Sequence, residues 1–230
     1  MELTQLDPDD PSQAFPPLQK ALQDPNGLLA YGGCLSVQRL KNAYQQGVFP
    51  WYNPGEPILW WSPNPRLVLF PEKLKISRSL HKVLRKQLFE IHYDRAFEQV
   101  VDACSLPREI NGGTWISAEM KQAYTNLYKQ GIAHSVEAWQ NQQLVGGLYG
   151  VAIGQVFFGE SMFHLKTDAS KVAFISLVQQ LSGWGYQLID CQVTSDHLLS
   201  LGAEEISRNH FETLLNQLSH LNPHLQAWSK

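Results

Sequence analysis

Cysteine is scarce in this chain. Only Cys34, Cys104 and Cys191 occur among 230 residues, an odd number with no short metal-type spacing, so neither a disulfide framework nor a cysteine-based metal site is expected. Charged residues are also few, at 17%, and no internal repeat or low-complexity stretch stands out, which excludes a coiled coil or a disordered tail protein. No run approaches the roughly 20 apolar residues of a membrane span. The opening residues, Met1-Glu2-Leu3-Thr4-Gln5-Leu6-Asp7, lack the basic-then-apolar layout of a signal peptide. No membrane association and a cytoplasmic, reducing location are therefore expected. The eight histidines show no His-Glu-x-x-His or mixed Cys/His ligand spacing, so no metal is expected. Gly146-Gly147 lies in a strand–turn context without a dinucleotide fingerprint or P-loop. Ser195, Asp196 and His197 are neighbours without the nucleophile motif that a hydrolase triad requires.

What is present is an ordinary globular composition, 43% hydrophobic, in a chain long enough for one large domain with a small companion. The first 65 residues are rich in proline, glycine and tryptophan. They hold one clear helix, which opens at the Ser36 cap, with Leu35 placed to staple to Leu40, and ends at Gly47. Prolines 50, 54, 57, 63 and 65 forbid a long regular element after it, and a boundary near residue 65 divides the chain into residues 1–65 and 66–230.

The net charge of −3 conceals an asymmetry. Between Arg66 and Arg95 eight cations face three carboxylates, a local excess of five positive charges that points to a local anionic partner. A helix opening at the Ser77 cap places Arg78, Lys82, Arg85 and Lys86 on one side and Leu80, Val83 and Leu84 on the other. Phosphates suit such a rail, because a row of Lys and Arg gains affinity by releasing condensed counterions; a solvated face would carry the same stripe.

Apolar spacing predicts further helices through Phe97–Cys104, from Ser117 to Gly131, from a Thr167 or Asp168 cap to Gly183, and from Ser207 to about Leu218. Strand patterns run over His134–Trp139, Leu144–Val151 and Val156–Phe163 as an antiparallel meander, with a buried strand over Tyr186–Val193. The fold class is α+β.

Two polar positions carry candidate chemistry. On the strand Leu188-Ile189-Asp190-Cys191-Gln192-Val193, alternation sends Asp190 and Gln192 to one face. Asp190 can accept from the Gln192 amide and leave its carbonyl aimed at a donor such as an amine; a purely structural pair is the alternative. Glu160 sits among Phe157, Phe158, Met162 and Phe163, where a carboxylate is costly unless it is paired, reaches water or serves a function. The loop Lys166-Thr167-Asp168-Ala169 lacks the glycine-rich pyrophosphate cradle of a coenzyme A-dependent acetyltransferase.

Several segments together carry a resemblance: Pro25–Ala30, Tyr44–Trp51, Trp60–Arg66, Gly113–Ile116, His134–Glu137, Gly159–Phe163, Ala169–Lys171, Leu188–Gln192 and Ser200–Ala203. Through them the chain resembles the bacterial leucyl/phenylalanyl-tRNA–protein transferases in order over residues 15–218. The resemblance implies a small N-terminal domain and a GNAT-like acyltransferase domain with a mixed, mainly antiparallel sheet flanked by helices. By the same resemblance it would use aminoacyl-tRNA in place of coenzyme A and need no cofactor. Leucine or phenylalanine, methionine less well, would pass from tRNA to the α-amino group of proteins or peptides beginning with Arg or Lys, marking them for degradation. Asp190 and Gln192 fall on the family's catalytic pair and Glu160 on its active-site carboxylate. Trp115 falls on the residue that stacks the terminal adenosine. Phe157 and Ile189 fall on the amino-acid pocket, Leu148, Leu177 and Leu181 occupy pocket positions, and Met162 and Trp51 complete the expected substrate-binding set. The cation rail is the expected tRNA contact. Two alternatives stay open: a relative acting on a peptidoglycan-type amine, and a tRNA-binding module without catalysis.

Overall fold

Serine starts four of the helices. In the computed structural model, which describes residues 3–106 and 116–228, the hydroxyls of Ser36, Ser77, Ser117 and Ser207 accept from the backbone N–H groups of Arg39, Leu80, Met120 and His210. Each satisfies one donor that the helix itself leaves unpaired. These caps open α1 (Val37–Gln45), α2 (Arg78–Arg85), α4 (Ala118–Lys129) and α7 (Arg208–Leu218). The others are α3 (Phe97–Cys104), α5 (Ala169–Gly183) and the short α6 (Asp196–Ser200). At α5 the expected side-chain cap is absent. Asp168 is the cap residue, but its backbone is left-handed (φ 66°) and its side chain makes no capping bond; it accepts instead from Lys171 Nζ at 2.9 Å.

The strands form two sheets. The smaller is ordered β1-β2-β4-β3, from Thr4–Leu6, Leu28–Gly32, Leu59–Trp61 and Phe49–Pro50 respectively. The larger has the order β11-β5-β10-β9-β8-β7-β6. In chain order its strands are β5 (Arg66–Leu69), β6 (Glu90–Tyr93), β7 (Ala133–Gln140), β8 (Gln143–Ile153), β9 (Val156–His164), β10 (Leu188–Gln192) and β11 (Glu204–Ile206). The expected meander is β7–β8–β9, antiparallel throughout. In this larger sheet β9 and β10 pair in parallel, as a strand pair joined through a helix can; in the smaller sheet β1 and β2 do so too. The fold is thus α+β, with a mixed, mainly antiparallel sheet and flanking helices.

Two apolar clusters hold the sheet. One combines Leu40, Tyr44 and Trp60 from the first 65 residues with Tyr124, Tyr149, Phe158 and Phe211. The other places Ala173, Leu177 and Leu181 of α5 against Leu148, Phe157 and Ile189. Gly146 and Gly147 lie inside β8, not at a turn. A Cβ on Gly146 would come within 2.6 Å of Ala169, so the missing side chain lets the start of α5 rest on the sheet.

Candidate active site

The site forms where β9 and β10 part. Their pairing runs from Leu188↔Val156 to Asp190↔Phe158. Just beyond it Gly159 and Glu160 of β9 and Cys191 and Gln192 of β10 line a cavity of about 770 Å³. Its apolar side is made by Leu148, Phe157, Met162, Phe174, Leu177 and Ile189. Of the expected pocket residues, Leu181 is not brought there; it is fully buried on the inner face of α5. Trp51 is also elsewhere. Its ring is 48% exposed and packs edge-on against Trp61 at 5.6 Å. Trp115 lies outside the described residues.

Strand alternation alone mispredicts the polar pair. A bulge between Asp190 and Gln192 shifts the register against β5, and Gln192 adopts a left-handed backbone (φ 65°), a conformation that costs a non-glycine residue about 1–3 kcal/mol. The two side chains therefore find different partners. Asp190 Oδ1 accepts from Arg66 Nε at 2.8 Å and from the backbone N–H of Gln192 at 2.9 Å, while Oδ2 accepts from Arg66 Nη2 at 2.6 Å. Asp190 thus fixes the backbone of Gln192, not its amide. Arg66, counted above among the eight cations of the locally positive stretch, is 1% exposed. Its guanidinium lies between the rings of Phe49 and Phe211 at 4.8 and 4.6 Å, where planarity and weak hydration favour arginine over lysine.

Glu160 holds the Gln192 amide. Its Oε1 accepts from Gln192 Nε2 and from Tyr44 Oη, both at 2.8 Å, and its Oε2 accepts from Tyr124 Oη at 2.5 Å. Burial pushes the Glu160 carboxyl up to about 7, against the pull of the Tyr124 and Tyr44 hydroxyls and with a further push from the Asp190 charge. Burial, followed by the Glu160 charge, carries both tyrosines well above their ordinary value, so they remain protonated donors. With Nε2 turned to Glu160, the Gln192 carbonyl is the amide's remaining acceptor.

Cys191 also lines the cavity, but burial and the Asp190 charge push its thiol far above the ordinary range, which removes it as a nucleophile near neutral pH. Among the described residues no group of three or more His, Cys, Asp or Glu could hold a metal. Lys171, His164 and His197 make the polar side of the cavity. Burial, then Lys171 and His164, lower the His197 pKa. Sequence reading missed these three together with Arg66, Tyr44 and Tyr124. Only the isolation of Glu160 among aromatics hinted that hydroxyl partners had to exist.

The rail residues Arg78, Lys82 and Arg85 on α2 and Lys86 at its C-terminal cap are all exposed and make no ion pair with another described residue, while Leu80 is buried beneath them.

The site thus joins an apolar wall to a buried carboxyl–amide pair on an α+β fold, and the sequence comparisons give its class as a transferase. Residues 68–216 match the leucyl/phenylalanyl-tRNA protein transferase family, and residues 33–64 match its N-terminal domain. The chain belongs to the leucyl/phenylalanyl-tRNA–protein transferase family. It is 58% identical over 226 residues to the transferase of Methylococcus capsulatus, covering 98% of this chain and 96% of that one. It is 60% identical over 214 residues to that of Nitrosomonas europaea, covering 93% and 91%. A GCN5-related N-acetyltransferase from Kribbella flavida is a distant structural neighbour, with a TM-score of 0.36 and 13% identity over 71% of this chain and 58% of that one; no argument rests on it.

Proposed function

We propose that this protein transfers leucine or phenylalanine, and methionine less well, from aminoacyl-tRNA to the α-amino group of proteins beginning with Arg or Lys, in the cytoplasm, so marking them for degradation. The observation that carries the reading is the Glu160–Gln192 pair set at the end of an apolar cavity. The aminoacyl side chain lies on the Phe157, Leu177 and Ile189 side, and the ester carbonyl faces the polar end. Such a wall separates substrates by only about 1–3 kcal/mol per methylene, so leucine, methionine and phenylalanine share it while charged side chains do not enter. No coenzyme A is used.

The incoming α-ammonium has an ordinary pKa of about 7.7–8.0. Glu160, held near 7, is closely matched to take its proton, and closely matched groups exchange protons with little penalty near neutral pH. The neutral amine then attacks the ester carbonyl carbon while the Gln192 carbonyl accepts one of its N–H bonds. As the tetrahedral intermediate collapses, the bond to the ribose oxygen breaks, nitrogen loses a proton, and that oxygen leaves as a hydroxyl. Asp190, with both oxygens engaged by Arg66, is a positioning residue that holds Gln192 in its left-handed conformation. Holding amine and ester in attack geometry contributes about 7–11 kcal/mol, more than the factor of about 10²–10⁴ from proton transfer.

In this reading the α2 rail takes tRNA phosphates, Trp115 stacks the terminal adenine, and residues 1–65 act as a companion domain that supplies Tyr44 to the site. Labelled leucine from charged tRNA should appear in an Arg-initiated peptide and not in its acetylated form. Preferential labelling of a muropeptide amine would replace the acceptor assignment, and tRNA binding without any product would leave only a binding module.

A further inference from the structure

An aromatic residue in the segment after α7, Trp228, packs against a residue of the cavity wall. After α7 the backbone is pinned along the far end of α5 and the β8–β9 turn. The Gln155 side chain donates to Asn222 O at 3.0 Å, and His224 N–H donates to Trp184 O at 2.8 Å. This brings in Trp228, which is half-buried. Its indole lies flat on the His134 ring, with centroids 4.0 Å apart and 10° between the planes. It meets Trp184 at 4.8 Å and Phe157 in an inclined stack, with centroids 5.9 Å apart and 26° between the planes. Its N–H donates to Tyr186 Oη at 2.9 Å, and His134 is itself oriented by Asp94 through a 2.7 Å contact at Nδ1.

Phe157 is the residue through which this stack bears on the site, because its ring forms part of the cavity wall. Toward the sheet it has no slack: a Cβ on Gly150 would stand 2.6 Å from the ring. Trp228 meets the same ring and comes from the segment after α7 instead of the sheet. Without it the ring gains room to withdraw, and the cavity deepens.

We propose that Trp228 is a positioning residue that sets the depth of the acyl end of the cavity through Phe157, and so the choice between branched aliphatic and aromatic aminoacyl groups. The inference rests on the reading of the cavity as an aminoacyl site. The full-length protein is titrated calorimetrically with leucyl- and phenylalanyl-adenosine analogues carrying an amide in place of the ester, and the ratio of the two dissociation constants is compared across variants. Trp228→Ala should shift the ratio toward the phenylalanyl ligand by about fivefold or more, on the scale of one methylene in an apolar pocket. Trp228→Phe, which keeps an aromatic support, should stay within about twofold of wild type. If Trp228→Ala does not fold, Tyr186→Phe removes only the hydrogen bond to the indole; a ratio moved in the same direction supports the assignment. Folded variants that all keep the wild-type ratio, whatever their thermal stability, overturn it. Wild-type protein that binds neither ligand defeats the aminoacyl-site reading itself, a result distinct from an unchanged ratio.

Discussion

Glu160 is a carboxyl whose folded-state pKa, about 7, stands above its ordinary value of 4.5 because burial outweighs three donated hydrogen bonds. The sign of the stability effect follows. Between about pH 4.5 and 7 the folded state keeps a proton that the unfolded chain has released, so this group makes stability fall as pH rises through that window, by about 3 kcal/mol at most. Glu160→Gln should remove that fall, measured by urea unfolding at pH 5 and pH 8; parallel wild-type and variant curves would contradict the assignment. The same group sets a kinetic expectation. The single-turnover rate should show a step near pH 7 that is lost in Glu160→Gln and kept, at a lower overall rate, in Asp190→Asn. A step lost only in Asp190→Asn would instead make Asp190 the base.

Among the elements, α2 and the β8–β9 pair carry separable roles. α2 presents its cations to solvent over a buried Leu80, so Lys82→Glu should weaken tRNA binding and flatten its dependence on salt, because fewer counterions are released. Equal affinity across salt, read by filter binding, would remove the rail from the account. In β8, a Cβ on Gly150 would stand 2.2 Å from the carbonyl oxygen of Phe158 as well as against the Phe157 ring. Gly150→Ala should therefore destabilise by about 1–3 kcal/mol, as overpacking does, with a shift in thermal midpoint as the readout. Elements with local signals were legible in the sequence: serine caps ahead of amphipathic runs gave four helix starts, and alternation gave the meander. The bulge at Gln192 and the left-handed cap at Asp168 were not, because neither alternation nor capping preference specifies a positive φ at a non-glycine residue. Glu160 was legible as an anomaly, whereas Tyr44, 116 residues away in sequence, was not legible as its partner.

At the scale of the molecule, Arg66 joins what the chain order separates. It reaches Asp190 on β10, 124 residues on, and its guanidinium is clasped by Phe49 of β3 and Phe211 of α7. Removing one member of a buried ion pair strands the other charge, so Arg66→Ala should cost about 3–5 kcal/mol in urea unfolding. Replacing both partners with apolar residues, as in Arg66→Met with Asp190→Leu, should recover most of that stability and still leave transfer impaired, because Gln192 loses the carboxylate that fixes its N–H. Stability and activity restored together would deny Asp190 its positioning role. Such a pair is invisible to periodicity and charge counting, which entered Arg66 only as one cation of a local positive excess.

The most direct measurement of the central claim is a crystal structure of the protein with a leucyl-adenosine analogue bearing an amide in place of the ester. The leucyl side chain should lie against Phe157, Leu177 and Ile189, with the amide carbonyl at the Glu160–Gln192 end of the cavity. Density for the ligand on another surface, with this cavity empty, would contradict it.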